Sequence, residues 1–225
     1  MGREVAATVQ LELPTPRTRG GARIGAGRPR LGPKTLPHVR REALDRRHPV
    51  HVTLRVVTGL PSLRSDRLYA VVEAALRAGA ERFGFSLVHH SVQGNHLHLI
   101  AEAEDAQALS RGLQGLQVRI ARRLNKALSR AGRVFSDRYH AHVLRTQREV
   151  RHALAYVLNN AKKHLRQAGR VVSRGWVDSC STAGRFFADR AAAVAVNRGL
   201  RAARTWLLNV GWALKGTITP ATVPK

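Results

Sequence analysis

Residues 50–56 alternate without a break: Val50, Val52, Leu54 and Val56 fall on one side, His51, Thr53 and Arg55 on the other. A period of two marks a strand with one face in a core and a polar face opposite. The same theme returns downstream. Phe85 to Val92 reads as a strand, Gln93-Gly94-Asn95 supplies turn chemistry, and His96 to Ala103 reads as the antiparallel partner. Between the first two strands, Ser65 is placed to cap a helix carrying Leu68, Val71, Val72, Ala75 and Leu76, with Gly84 as its stop.

A second helix spans roughly 105–130, where Leu109, Leu113, Leu116, Ile120, Leu124 and Leu128 step by three and four; Gly132 ends it. A strand centred on His142-Val-Leu144 follows, and a third helix runs from about Glu149 to Gln167. The order β-α-β-β-α-β, then a helix, predicts an α+β protein of ferredoxin-like, split βαβ form. Its antiparallel sheet carries helices on one face, with a tyrosine-bearing helix at the C-terminal end. In that layout one sheet face is covered and the other is free to hold a site. Residues 1–47, rich in Gly, Pro and Arg, read as a basic tail; 48–168 form the folded unit. Residues 169–225 read as a basic, partly helical extension that either packs on the domain or contacts a ligand.

Charge narrows the function. Thirty-nine Lys and Arg oppose 14 Asp and Glu, for a net +25. A surface so self-repelling suits a polyanionic partner, and nucleic acid is the usual one. Cys180 is the sole cysteine, which rules out an intramolecular disulfide and a cysteine zinc cluster. No signal-peptide core stands near the N-terminus, and the apolar run from Trp206 to Leu214 is too short to span a bilayer. The expectation is a cytoplasmic, nucleoid-associated protein with no membrane partner.

His96 and His98 lie two apart on one predicted strand, so both imidazoles leave the same face. Two imidazoles converging there can bind one divalent ion and leave room for another protein ligand and a phosphate oxygen. The third helix buries Val150, Leu154, Val157, Ala161 and Leu165 on one stripe. At 100° per residue, Tyr156 sits roughly 140° from its centre, with His152, Asn160 and Lys163 beside it. That position favours partner contact or catalysis over core packing. A phenol attacking a phosphodiester needs its developing charge stabilised, which a metal held by imidazoles can do. Asn160, one turn on, could add a neutral oxygen ligand. Arg55, Arg138, Arg145 and Lys162 are candidates for phosphate contacts.

Gly94-Asn-His-Leu-His-Leu-Ile100 resembles the histidine-bearing strand of the single-tyrosine HUH transposases. Tyr156-Val-Leu-Asn-Asn160 resembles the tyrosine helix, Y-x-x-x-N-P, of their REP-associated tyrosine transposase (RAYT) branch. The resemblance covers about residues 48 to 165. It implies a catalytic domain that binds single-stranded DNA, often as hairpin or inverted-repeat ends, and cuts it through a 5′-phosphotyrosine intermediate that frees a 3′-hydroxyl. On this chain it implies Tyr156 as nucleophile, His96 and His98 as metal ligands, and Asn160 as the third. The metal it implies is Mg²⁺ or Mn²⁺. It also implies a monomer or a homodimer. The family's Asn-Pro is Asn160-Ala161 here, so the helix is free to continue, and Asn159 is the alternative ligand.

Two other functions suit parts of the same pattern. One is a domesticated, non-catalytic transposase-derived nucleic-acid binder, which would not need the two histidines and the tyrosine. The other is a metal-dependent hydrolase, which would want carboxylates near His96 and His98; only Glu102, Glu104 and Asp105 are close in sequence.

Overall fold

The computed structural model describes residues 43–188 and 200–224. The tail expected over 1–47 therefore lies almost wholly outside the described residues. The elements run β1 (Val50–Arg55), α1 (Asp66–Ala78), β2 (Glu81–Arg82), β3 (Phe85–Val92), β4 (His96–Ala103), α2 (Ala106–Ala127), β5 (His140–Val143) and α3 (Gln147–Gln167). Three short helical pieces follow: α4 (Ala183–Phe187), α5 (Trp206–Asn209) and a 3₁₀ turn over Gly211–Lys215. One antiparallel sheet has the order β2-β3-β4-β1-β5. With the two-residue β2 set aside, that is the split βαβ order expected from the sequence.

Register explains how the sheet sorts its faces. Val52 pairs with Leu99 and Leu54 with Leu97, and all four are buried in the core under α1 and α2. The same pairing sets Thr53 opposite His98 and Arg55 opposite His96, on the other face. β5 extends that polar face, with His142 opposite His51 and His140 opposite Thr53.

A bulge between Leu87 and His89 breaks the alternation of β3. It moves His90 to the register position of Leu99, on the core side, while His89 turns toward α4. His90 is buried, and neither ring nitrogen has a hydrogen-bond partner among the described residues. Burial, then the neighbouring His89, pull its pKa down to about 3. An unfolded histidine takes its proton near pH 6.5, so below that the unfolded state holds the extra proton. This part of the stability is complete above pH 6.5 and is lost as pH falls toward the folded value. His90→Leu should therefore raise the thermal midpoint relative to the parent more at pH 5 than at pH 8, as read by thermal unfolding at both.

Helix boundaries differ from the glycine stops read in the sequence. α1 ends at Ala78 with Gly79 as its cap, because β2 follows at once. Gly84 instead sits at the β2–β3 hairpin tip with φ of 75°. α2 ends at Ala127, and the turn is made by Leu128 and Ser129 (φ 48°), upstream of Gly132. Its start is capped by Asp105, whose carboxylate accepts from the Ala108 N–H. Gly112 lets α2 approach β3: a Cβ there would lie 2.2 Å from Cγ of Phe85.

α3 begins at Thr146 in a full capping box with Glu149 and runs unbroken through Asn160-Ala161. It lies across the sheet face opposite α1 and α2, packing Val150, Leu154, Val157 and Leu158 with Val88 and Ile100. The second sheet face is thus partly covered rather than free. Leu208, Trp212 and Ile218 complete this second core, so described residues beyond 169 pack on the domain. Glu102 fixes them: its carboxylate accepts from the Arg204 and Thr205 N–H groups and the Thr205 hydroxyl.

Candidate active site

The polar face of β4 presents His96, His98, Ile100 and Glu102 in turn, and α3 crosses it with Tyr156 inward. The Tyr156 ring stands edge-on to His98, with centroids 4.9 Å apart, and 5.9 Å from His51. His98 also stacks on His51 at 5.4 Å and meets His96 at 4.7 Å. Two turns beyond Tyr156, the His164 ring comes within 6.4 Å of His96. Asn160 stands between Tyr156 and His164 on the same helical stripe. It is buried, and neither its amide oxygen nor its amide nitrogen has a partner among the described residues.

The second layer sets what the imidazoles offer. His96 Nδ1 lies 2.7 Å from the amide oxygen of Asn95. That oxygen can only accept, so Nδ1 carries the hydrogen and Nε2 keeps its lone pair. His98 Nδ1 is engaged by the Thr53 hydroxyl at 3.2 Å, and His98 Nε2 has no partner among the described residues. Burial is the largest influence on both rings. It lowers His98 to about 3, helped by His51, His96 and His164, and His96 to about 4, helped by Arg55 and His164. His51 is lowered to about 4, again first by burial. Three neutral imidazoles in a half-buried cluster are poor proton carriers at neutral pH and good Lewis bases. A donor set of the His96 Nε2 lone pair, the unpartnered His98 Nε2 (a lone pair when Thr53 accepts from Nδ1–H) and an unsatisfied amide fits a divalent ion. Among the described residues, no three His, Cys, Asp or Glu side chains form a metal-holding group, and the third donor here would be the amide of Asn160.

The other site residues fall into two sets. Arg55, Arg138 and Arg145 are exposed, and Arg55 lies at the register position of His96. Lys162 is a correction. It is only 4% exposed, and its ammonium donates to the carbonyls of Arg174 (2.6 Å) and Pro220 (3.0 Å), so it is not presented to a phosphate. The amide nitrogen of the alternative ligand Asn159 donates to the carbonyls of Thr219 and Thr222 in the C-terminal segment. Both sit on the side of α3 that the C-terminal segment covers. Two of the three carboxylates that a hydrolase would draw on are engaged, Glu102 by Thr205 and Asp105 as the cap of α2, while Glu104 is exposed.

His164, Asn95 and Thr53 belong to the cluster, though sequence reading gave none of them a role there. His164 was within reach of helical spacing, one turn after Asn160. Asn95 reads as turn chemistry and as part of the histidine motif, with no role of its own in the site.

The chain belongs to the IS200-like transposase family, whose model matches residues 47–160. The match takes in His51, His96, His98, Tyr156 and Asn160. Among solved structures, the fold is similar to that of a REP-associated tyrosine transposase bound to a REP hairpin, with a TM-score of 0.52 and 18% identity, covering 67% of this chain and 85% of that one. A candidate transposase from Deinococcus radiodurans R1 aligns with a TM-score of 0.38 and 16% identity, over 61% of this chain and all of that one. No curated protein matches the chain in sequence. No helix among the described residues is long and apolar enough to cross a membrane.

Proposed function

We propose that this transposase cuts and rejoins single-stranded DNA at Tyr156, in the manner of the RAYT branch, with hairpin ends as its substrates. The observation that carries the reading is the Tyr156 ring set against His98 on a face of neutral imidazoles. The phenolic oxygen attacks phosphorus as the bond from phosphorus to the 3′-oxygen breaks. The phenol gives up one proton and the departing oxygen takes one up, so the exchange is proton-neutral. The products are a 5′-phosphotyrosine and a free 3′-hydroxyl, and the reverse attack by a 3′-hydroxyl reseals the strand. Transesterification conserves the phosphodiester energy, so no nucleotide cofactor is required.

His96, His98 and Asn160 would hold a divalent ion, Mg²⁺ or Mn²⁺, which when bound supplies Lewis-acid stabilisation of charge on the phosphate. Asn95 and Thr53 orient the two imidazoles, and the depressed pKa values keep them unprotonated. Arg55, Arg138 and Arg145 would contact flanking phosphates. The test is a denaturing gel of the full chain with labelled hairpin oligonucleotides. A covalent adduct that appears with Mg²⁺ or Mn²⁺ and disappears with EDTA supports the reading. Metal-independent binding without any adduct, across many hairpins, would make the chain a non-catalytic binder instead.

A further inference from the structure

On the sheet face away from Tyr156, a groove of about 590 Å³ runs between the β2–β3 hairpin and the outer side of α2. Arg82, Arg111, Arg119, Arg122 and Arg123 line it, and no carboxylate does among the described residues. Such a wall is self-repelling unless an anion lies against it. The groove also holds three choices that work against the fold. Phe83 occupies the first central position of a two-residue hairpin with φ of 49°, followed by Gly84 at 75°, a turn that favours Asn-Gly. A bulky residue in the left-handed region is strained. Its ring is 67% exposed, and the Arg82 guanidinium lies 4.8 Å from its centroid. Gly115 stands in the middle of α2 where a Cβ would meet nothing within 4 Å, so packing does not require glycine there. Val118, beside it, is 45% exposed.

Strain, an idle helix glycine and exposed apolar surface, gathered in one arginine-lined groove, mark a place kept for a ligand rather than for stability. We infer that this groove is a second DNA-contact surface, which rests on the strand-transfer reading above. Phosphates lie along the α2 arginines and close to the backbone at Gly115, while Phe83, backed by Arg82, stacks on an unpaired base. From Arg111 to Arg123 the helix rises about 18 Å, enough for several phosphates of one strand. Because the groove and Tyr156 lie on opposite sheet faces, the DNA held here is not the phosphodiester that reacts. It is a flanking loop or unpaired stretch of the same molecule.

Phe83→Asn separates the two roles, since asparagine suits the turn better than phenylalanine. Binding of the full chain to a hairpin oligonucleotide with a single-stranded flank would be followed by fluorescence anisotropy in EDTA, so that no cutting occurs. We expect Phe83→Asn to weaken binding roughly tenfold, the scale of one lost base stack. Its thermal midpoint should be equal or higher, and Phe83→Trp should restore affinity. Replacing Arg111, Arg122 and Arg123 with Gln should lower the slope of log affinity against log salt by about two to three. If the parent binds the hairpin and neither Phe83→Asn nor the arginine variant changes affinity or slope, the inference is overturned while the active-site reading stands. If Phe83→Asn weakens binding but the parent forms no metal-dependent adduct, the active-site reading falls instead. A groove that takes poly-glutamate and not DNA would also overturn the inference.

Discussion

Tyr156→Phe should eliminate the covalent DNA adduct, to below about a thousandth of the parent yield, and leave the fold untouched. The hydroxyl is the only group the change removes. No hydrogen bond within the described residues depends on it, so the stability change should stay within about 0.5 kcal/mol. The ring itself, edge-on to His98 and His51, would remain in place. Hairpin binding should therefore persist while the adduct band disappears from a denaturing gel. Equal adduct yields from Tyr156→Phe and the parent would remove Tyr156 from the role of nucleophile.

The second large effect is at His98. Its Nε2 has no partner among the described residues, and its Nδ1 is engaged by the Thr53 hydroxyl. His98→Gln keeps much of the volume and loses the imidazole donor. Adduct formation at fixed Mg²⁺ should drop by about a hundredfold or more, on the scale seen when one transition-state charge stabiliser is removed. Raising Mg²⁺ or Mn²⁺ should recover part of the loss, which a merely unfolded variant would not do. The pH dependence provides a second readout. Burial places His98 at about 3 and His96 at about 4, so both rings keep their lone pairs down to mildly acidic pH. Protons begin to compete with the metal only as pH falls toward 4, whereas free imidazoles would be half protonated near 6.5. The acid limb of the adduct-forming rate should thus lie below pH 5. A limb centred near 6.5 would mean that the histidines are solvated and not held as described.

Much of this site was legible because two periodicities intersect. Period two on β1 and β4 fixed which side His51, His96 and His98 leave from, and helical spacing fixed the side of Tyr156 and Asn160. What neither could supply was the identity of α3's second neighbour. The side that carries Tyr156 lay away from the apolar stripe, yet Tyr156 meets the sheet there, and a C-terminal segment with weak periodicity covers the side that carries Asn159 and Lys162. Lys162 was misread for that reason: a lysine beside an apolar stripe looks solvated until a chain far along the sequence lends it carbonyls. The bulge at Leu87 and His89 was invisible for another reason, since one extra residue changes the pairing count without changing composition. The glycine stops failed because Gly84 and Gly132 answer to turn geometry, not to helix ends.

α3 folds back over its own sheet, so the proposed nucleophile and its histidines meet within one chain. On the proposed chemistry, a site assembled within one chain predicts that activity scales with the number of intact chains and not with the number of pairs. A mixture of Tyr156→Phe and His98→Gln chains, each lacking what the other retains, should stay as inactive as either alone. In genetic terms the two lesions would fail to complement.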